Sequence, residues 1–318
     1  ATVRRLAPLI APDHTWIVTS AALKDAVTAV VPCLPKRNIL AEPVGRNTAA
    51  AVGLAAVALS ARDPDAVMAI LPADHHVADE PAFRAVVGQA LAIAEAHDAL
   101  VTVGIRPTKP DTGFGYLERG TLDPGGASSV LRFVEKPDRA TAEAYLATGR
   151  FLWNSGMFFF SARRILTELG RHLPETRAAL AEIAAAFARD EETAARVLAD
   201  IYPKLPSVSI DTGVMERASG IVTLVGDFGW NDVGSFAALA ELRPADAQGN
   251  VCVGDVVTVD ARRNVTLADE GTLVALLGVE DLIVVRSGNA VLVAPRSRAQ
   301  DVRDIVSELE SRGLTTYL

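Results

Sequence analysis

Ala66-Val67-Met68-Ala69-Ile70-Leu71-Pro72-Ala73-Asp74-His75-His76 is the stretch on which the reading of this chain turns. An apolar run goes straight into Leu71-Pro72 and then meets Asp74. A continuous apolar run of this length reads as a strand buried on both faces. Proline stops the strand, because it has no N–H for the next ladder bond. A carboxylate then stands just past the carboxyl end of that strand, where open α/β sheets bind their ligands. The same position also suits a residue that caps the next helix or turns the chain. This stretch alone leaves both readings open.

Upstream, residues 16–20 read as a short strand, 22–30 as a helix and 38–40 as a second strand. The polar loop Glu42-Pro43-Val44-Gly45-Arg46-Asn47-Thr48 then leads into an alanine-rich helix, with Asn47 or Thr48 as its N-cap. Downstream, a helix over 81–96 and a strand over 100–105 follow. Strand alternating with helix at this spacing means βαβ units and a mostly parallel sheet.

Past Pro110 the texture changes. Thr112-Gly113-Phe114-Gly115-Tyr116 is a glycine-rich turn, and a strand over 130–134 runs into Glu135-Lys136-Pro137. A helix covers 140–148, and Trp153-Asn154-Ser155-Gly156 precedes a strand at 157–160. A broken helical stretch over 162–198 reads as mostly surface. Ser209-Ile210-Asp211-Thr212-Gly213-Val214-Met215-Glu216 opens another segment. A strand over 221–225 leads to Gly229-Trp230-Asn231-Asp232-Val233-Gly234-Ser235.

Residues 243–250 have the composition of a linker, which divides the chain into domains 1–245 and 246–318. Beyond the linker, short β-like runs recur at 251–253, 256–259, 265–267, 273–277, 282–285 and 290–293. Their close spacing is that of a small all-β unit or solenoid, closed by a helix over 297–311.

With 318 residues the chain is long enough for two domains and a large core. Its 31 basic and 39 acidic side chains give a net charge of −8. A groove tracking nucleic-acid backbone would want the opposite sign, so no nucleic-acid partner is expected. The longest small-and-apolar run, residues 49–61, is short of the roughly 20 residues of a membrane span, so no membrane partner is expected either. Cys33 and Cys252 have no CxxC partner and suit a reducing compartment, hence a cytoplasmic protein.

Several loops at strand ends carry polar groups of complementary kinds. Asp74 and Asp232 are the two hard oxygen ligands that Mg²⁺ takes from protein when phosphates and water fill its other positions; Asp232 also suits an N-cap before Val233. Lys136 can place an ammonium on a phosphate, or pair with Glu135 at the surface. Gly113 and Gly115 let backbone come close to a sugar ring, or make an ordinary tight turn. Asn154 offers donors and acceptors to hydroxyls, or pins its own turn. Arg46 and Asn47 can read a base edge, or serve the helix that follows. His75 and His76 are adjacent on an extended segment and point to opposite sides, which speaks against a shared metal ion.

In sequence order, Glu42-Pro-Val-Gly-Arg-Asn-Thr-Ala, Leu71-Pro-Ala-Asp-His, Thr112-Gly-Phe-Gly-Tyr, Phe133-Val-Glu-Lys-Pro, Trp153-Asn-Ser-Gly-Met-Phe, Val214-Met-Glu and Trp230-Asn-Asp-Val-Gly-Ser resemble the bacterial mannose-1-phosphate guanylyltransferases. The resemblance covers nearly the whole chain. It implies a Rossmann-like nucleotidyltransferase domain followed by a small left-handed β-helical domain. The reaction it implies is GTP + α-D-mannose 1-phosphate → GDP-mannose + pyrophosphate, with Mg²⁺ as cofactor. By the same resemblance Asp74 and Asp232 are the metal ligands and Lys136 meets the sugar phosphate. Glu42, Pro43, Arg46, Asn47 and Thr48 form the guanine side. Gly115, Glu135 and Asn154 contact the mannose hydroxyls.

The family also carries a Gly-x-Gly-x-Arg-Leu loop before the first helix, which does not occur in these residues. The expectation is that the sequence omits an N-terminal piece, and that it holds the transferase without the cupin-type isomerase of bifunctional members. Stacked short strands leave an edge that a homodimer contact could cover. Another sugar phosphate or nucleotide on the same fold, or a catalytically silent nucleotide-sugar sensor, are the alternatives.

Overall fold

The structure is a computed structural model that describes residues 1–317. Packing divides the chain into a first unit, Ala1–Trp230, and a second from Asn231 onward. The first unit opens with α1 (Thr2–Leu6), β1 (Ile17–Ser20), α2 (Lys24–Val30) and β2 (Ile39–Glu42). It continues through α3 (Asn47–Ser60), β3 (Val67–Ile70), β4 (His76–Val77), α4 (Glu80–His97) and β5 (Leu100–Ile105). Then come β6 (Tyr116–Leu122), β7 (Ala127–Val134), α5 (Arg139–Thr148) and β8 (Phe151–Ser161). The broken helical stretch resolves into α6 (Ala162–His172), α7 (Pro174–Phe187) and α8 (Glu191–Ile201). Its surface reading needs correction. Leu169, Leu180 and Ile183 are fully buried, and so is Glu168, which ties together Arg164, Arg171 and His172. The unit closes with β9 (Ile221–Gly226) and, at the junction, β10 (Trp230–Asn231).

Six strands form the main sheet in the order β3-β8-β5-β9-β7-β6. The sheet is mixed. β3, β5, β9 and β6 run one way, with β8 and β7 against them. The βαβ spacing holds for the direction of β3, β5 and β9 but not for β7 and β8, nor for neighbourhood, because β8 arrives late in the chain and inserts antiparallel between β3 and β5. Only β5 and β9 are parallel neighbours in this sheet, while β1 and β2 pair in parallel apart from it.

Side chains alternate along β8 as the pleat requires. Phe158 and Phe160 face the α3–α6–α7 layer, and Met157 and Phe159 face α4. Burying one such aromatic ring stabilises by roughly 1.5–3 kcal/mol. The alanine content of α3 follows from close packing, since a Cβ on Gly53 would come within 2.3 Å of Leu180 Cδ1. β3 does present apolar residues to both layers, but it is an edge strand and only Met68 is fully buried.

The second unit holds α9 (Phe236–Glu241), β11 (Val251–Val253), β12 (Asp255–Val259), β13 (Val265–Ala268), β14 (Leu273–Leu277), β15 (Leu282–Ser287), β16 (Ala290–Pro295) and α10 (Val302–Ser311). β11, β13 and β15 stack in parallel, as do β12 and β14, so successive turns of chain coil as in a β-helix. Gly254 turns the corner between β11 and β12 at φ +85°, where a Cβ would meet Ala268 O at 2.3 Å. The run read as a linker ends inside this core: Asn250 is buried and bonded to Asn264 of the next coil. Among the described residues no helix is long and apolar enough to cross a membrane, and Cys33 and Cys252 are exposed thiols.

Candidate functional site

Asp74 lies on the exposed loop beyond β3. It does not cap α4. That role falls to Asp79, whose Oδ1 accepts from the Ala82 N–H at 2.9 Å. No hydrogen bond or ion pair from another described residue reaches the Asp74 carboxylate, so its oxygens face solvent. The backbone around it is held. Thr2 Oγ1 donates to Ala73 O at 3.0 Å, and Arg5 Nη1 donates to His75 O at 3.2 Å. His75 Nδ1 accepts from Trp230 Nε1 at 3.0 Å, with the two rings edge to face. The Phe114 ring packs against both Trp153 and Trp230.

Gly115, Glu135, Lys136 and Asn154 come together on the facing ends of β6, β7 and β8. Asn154 N donates to Gly115 O at 2.8 Å. A Cβ on Gly115 would fall 2.6 Å from Glu135 Oε2 and 3.3 Å from Asn154 Cβ, so the glycine is what admits this approach. Lys136, at φ +45°, turns its ammonium back to Glu135 Oε1 at 3.4 Å while staying largely exposed.

Two acidic residues without a sequence-based role complete the cluster. Asp211 begins a π-helical turn, Asp211–Met215, a geometry common at functional sites. Its Oδ1 accepts from Asn154 Nδ2 at 2.8 Å. Glu216 Oε1 accepts from the Glu135 N–H at 2.8 Å. Asn154 Oδ1 is occupied as well, taking Thr102 Oγ1 at 3.3 Å and the Gly156 N–H at 3.2 Å. The carboxamide therefore has one N–H left and meets a ligand as a donor. Burial pushes the Glu135 carboxyl above its ordinary value, and Asp211 adds to the shift. Burial raises Asp211 too. The cluster thus combines acceptors, one donor, an ammonium and a bare backbone wall, which suits a polyhydroxylated ligand carrying an anion.

The Glu42–Thr48 loop is organised differently. Glu42 Oε1 accepts from the Tyr202 hydroxyl, Arg46 Nη2 donates to Pro203 O, and Thr48 Oγ1 accepts from the Ile210 N–H at 2.7 Å. Neither Asn47 nor Thr48 caps α3; Arg46 occupies that position without a side-chain bond, and the Ala49 N–H goes to Val208 O. These side chains bind the 202–210 segment. The exposed edge of the loop is Pro43, Val44, Gly45, Asn47 and Thr48, with Asn47 at φ +63°.

Asp232 belongs to the second unit. It does not cap α9, because Ser235 does, with Oγ accepting from Ala238 N at 3.1 Å. The next residue, Val233, sits at φ +53°, an outlier for a β-branched residue, and its N–H is held by Asn231 Oδ1 at 2.7 Å. A Cβ on Gly234 would crowd Asp232 Oδ2 at 2.5 Å. Among the described residues no three His, Cys, Asp or Glu side chains converge as a metal cluster. A cation taking one or two carboxylates and phosphate oxygens needs no such cluster.

Residues 14–249 match the family described as Nucleotidyl transferase, and residues 254–309 match a MannoseP isomerase/GMP-like beta-helix domain. The xanthan biosynthesis protein XanB of Xanthomonas campestris is 44% identical over 275 residues, which is 86% of this chain and 58% of that protein. The mannose-1-phosphate guanylyltransferase of Escherichia coli K12 is 44% identical over 282 residues, which is 87% of this chain and again 58% of that protein. The chain therefore spans somewhat over half the length of these relatives. In the crystal structure of a mannose-1-phosphate geranyltransferase from Thermus thermophilus, 88% of that chain superposes on 97% of this one, with TM-score 0.86 and 36% identity. On this match, which takes in most of its length, the chain belongs to the nucleotidyl transferase family.

Proposed function

We propose that this protein is a mannose-1-phosphate guanylyltransferase, forming GDP-mannose and pyrophosphate from GTP and α-D-mannose 1-phosphate. The observation that carries the reading is the cluster of Gly115, Glu135, Lys136, Asn154 and Asp211 in a chain whose relatives bear that name. Glu135 and Asp211 accept from sugar hydroxyls, Asn154 donates to one, and Lys136 meets the sugar phosphate. Glu42, Arg46 and Thr48 act as the frame of the guanine side, leaving Asn47 and the backbone of residues 43–45 to face the base.

The reaction is an in-line attack of a sugar-phosphate oxygen on the α-phosphorus of GTP. It asks little covalent chemistry of the protein, so positioning and charge neutralisation carry the rate. Asp74 and Asp232 are the carboxylates proposed for Mg²⁺; an exposed, unpaired carboxylate at Asp74 fits a hard cation that keeps several waters. When bound, Mg²⁺ neutralises charge on phosphate oxygens.

Pyrophosphate release by the full-length protein, from GTP or UTP with mannose 1-phosphate or glucose 1-phosphate, tests the selectivity. The GTP and mannose pair should be fastest. Faster release with another pair would move the reading to that substrate, and none with any pair would favour a sensor.

Lys136→Gln should lower kcat/KM for the sugar phosphate by roughly 10–100-fold, since it removes a charge-assisted contact. Steady-state kinetics at fixed GTP checks this. A pH effect follows from the raised carboxyls. As pH falls, the folded chain protonates Glu135 and Asp211 before the unfolded chain does. The stability they contribute is thus present at acid pH and lost as pH rises through their native values. For substrate the sign is opposite. Protonation removes two acceptors, so KM for the sugar phosphate should rise as pH falls through that window, with a smaller change in kcat. A KM profile that is flattened in Glu135→Gln and Asp211→Asn is the expected result.

A further inference from the structure

We propose that Thr2 and Arg5 are positioning residues that pre-set Asp74 for its divalent cation by holding the two carbonyls on either side of it. The inference rests on the proposed metal role of Asp74. Thr2 and Arg5 are three apart on α1, hence on one face. Thr2 Oγ1 donates to Ala73 O at 3.0 Å, with Pro72 O at 3.4 Å, and Arg5 Nη1 donates to His75 O at 3.2 Å. The peptide before Asp74 and the one after His75 are therefore fixed from the same short helix, bracketing Asp74, while its carboxylate has no partner among the described residues.

Arg5 is an expensive way to hold a carbonyl. Its side chain is 6% exposed, and its nearest carboxylate, Glu80, stands 3.9 Å away. Burying a guanidinium costs free energy unless it is paired and hydrogen-bonded. The surroundings offset this in part. The guanidinium lies 5.6 Å from the Phe83 ring centroid, and Arg84 Nη1 donates to Arg5 O at 3.0 Å, fastening α1 to α4. A surface loop needs no such anchor for stability alone. A ligand-bearing loop does, because supporting contacts that orient a metal ligand set affinity as well as geometry.

The test is Mn²⁺ binding to the full-length protein with GTP and no sugar phosphate, read from the electron paramagnetic resonance of free Mn²⁺. Amide hydrogen exchange at residues 73–76 and thermal unfolding are measured beside it. Arg5→Met should weaken Mn²⁺ by about 10–100-fold, the usual effect of losing an outer-shell support. It should also speed exchange at 73–76, and Arg5→Lys should recover part of both. Thr2→Val, which removes one exposed-side bond, should show the same pattern in smaller degree and carries the test if Arg5→Met does not fold. If Asp74→Asn loses Mn²⁺ while Arg5→Met and Thr2→Val keep wild-type affinity, the clamp is wrong even where their melting points fall. If Asp74→Asn itself binds Mn²⁺ like wild type, the metal reading of Asp74 fails and the clamp with it.

Discussion

Asp74→Asn is expected to lower kcat by roughly 10²–10³-fold, the scale for removing one preorganised electrostatic group at a reacting phosphorus. The reason is local. Asp74 caps nothing, since Asp79 does that for α4, and its carboxylate makes no bond within the described chain. The substitution therefore removes charge from the loop without removing a structural contact. The thermal midpoint should stay within about 2 °C, the range of a neutral surface change. KM for the sugar phosphate should move little, because the groups proposed to face its hydroxyls belong to β6, β7, β8 and the Asp211 turn. Raising Mg²⁺ should recover part of the lost rate. Undiminished turnover in Asp74→Asn would remove Asp74 from the mechanism.

Asn264→Ala should be the most damaging single change in the second unit. Asn264 is fully buried between coils. Its Nδ2 donates to Asn250 Oδ1 at 3.1 Å and Val279 O at 3.0 Å, and its Oδ1 accepts from the Leu282 N–H at 3.0 Å. Alanine leaves the Leu282 N–H without a partner inside the coil, while Asn250 Oδ1 keeps the residue-264 N–H and Val279 O keeps the Arg262 N–H, each losing one of its two bonds. One buried unsatisfied N–H costs about 1–3 kcal/mol and each of the two other lost bonds about 0.5–1.5 kcal/mol, so a loss of about 3 kcal/mol is the expected order. For a unit of this size that lowers the unfolding midpoint by roughly 10–20 °C. Differential scanning calorimetry should show the second unit melting early while the first keeps its transition. A loss under about 1 kcal/mol would mean that water replaces the carboxamide and that the asparagines do not hold the coils together.

How much of this was legible in the sequence depended on how far apart the partners lie. Gly115, Glu135 and Asn154 stand in ordered motifs, and the strands that carry them are neighbours in one sheet. Asp211 lay in a segment without a reading, because its partner is Asn154, 57 residues earlier. Thr102 gave no signal at all; it looks like one more strand residue until its hydroxyl is seen on Asn154 Oδ1. Polar composition at Glu42 and Arg46 could not separate a base reader from a frame, since what they hold, Tyr202 and Pro203, lies far along the chain, 160 and 157 residues away. Alternation of strand and helix was readable, but not that β8 and β7 run against the other strands or that β8 inserts between β3 and β5, which no local pattern encodes. Asn250 looked like the end of a linker because its burial exists only once the next coil is stacked on it.

The most direct test follows the phosphorus atoms. The full-length protein is given mannose 1-phosphate and Mg²⁺ with GTP labelled at the α-phosphorus, and in a parallel reaction at the γ-phosphorus. The expected result is α-label in GDP-mannose and γ-label in pyrophosphate, at equal rates. Transfer of γ-label to the sugar phosphate, or no transfer of α-label to any sugar, would contradict it.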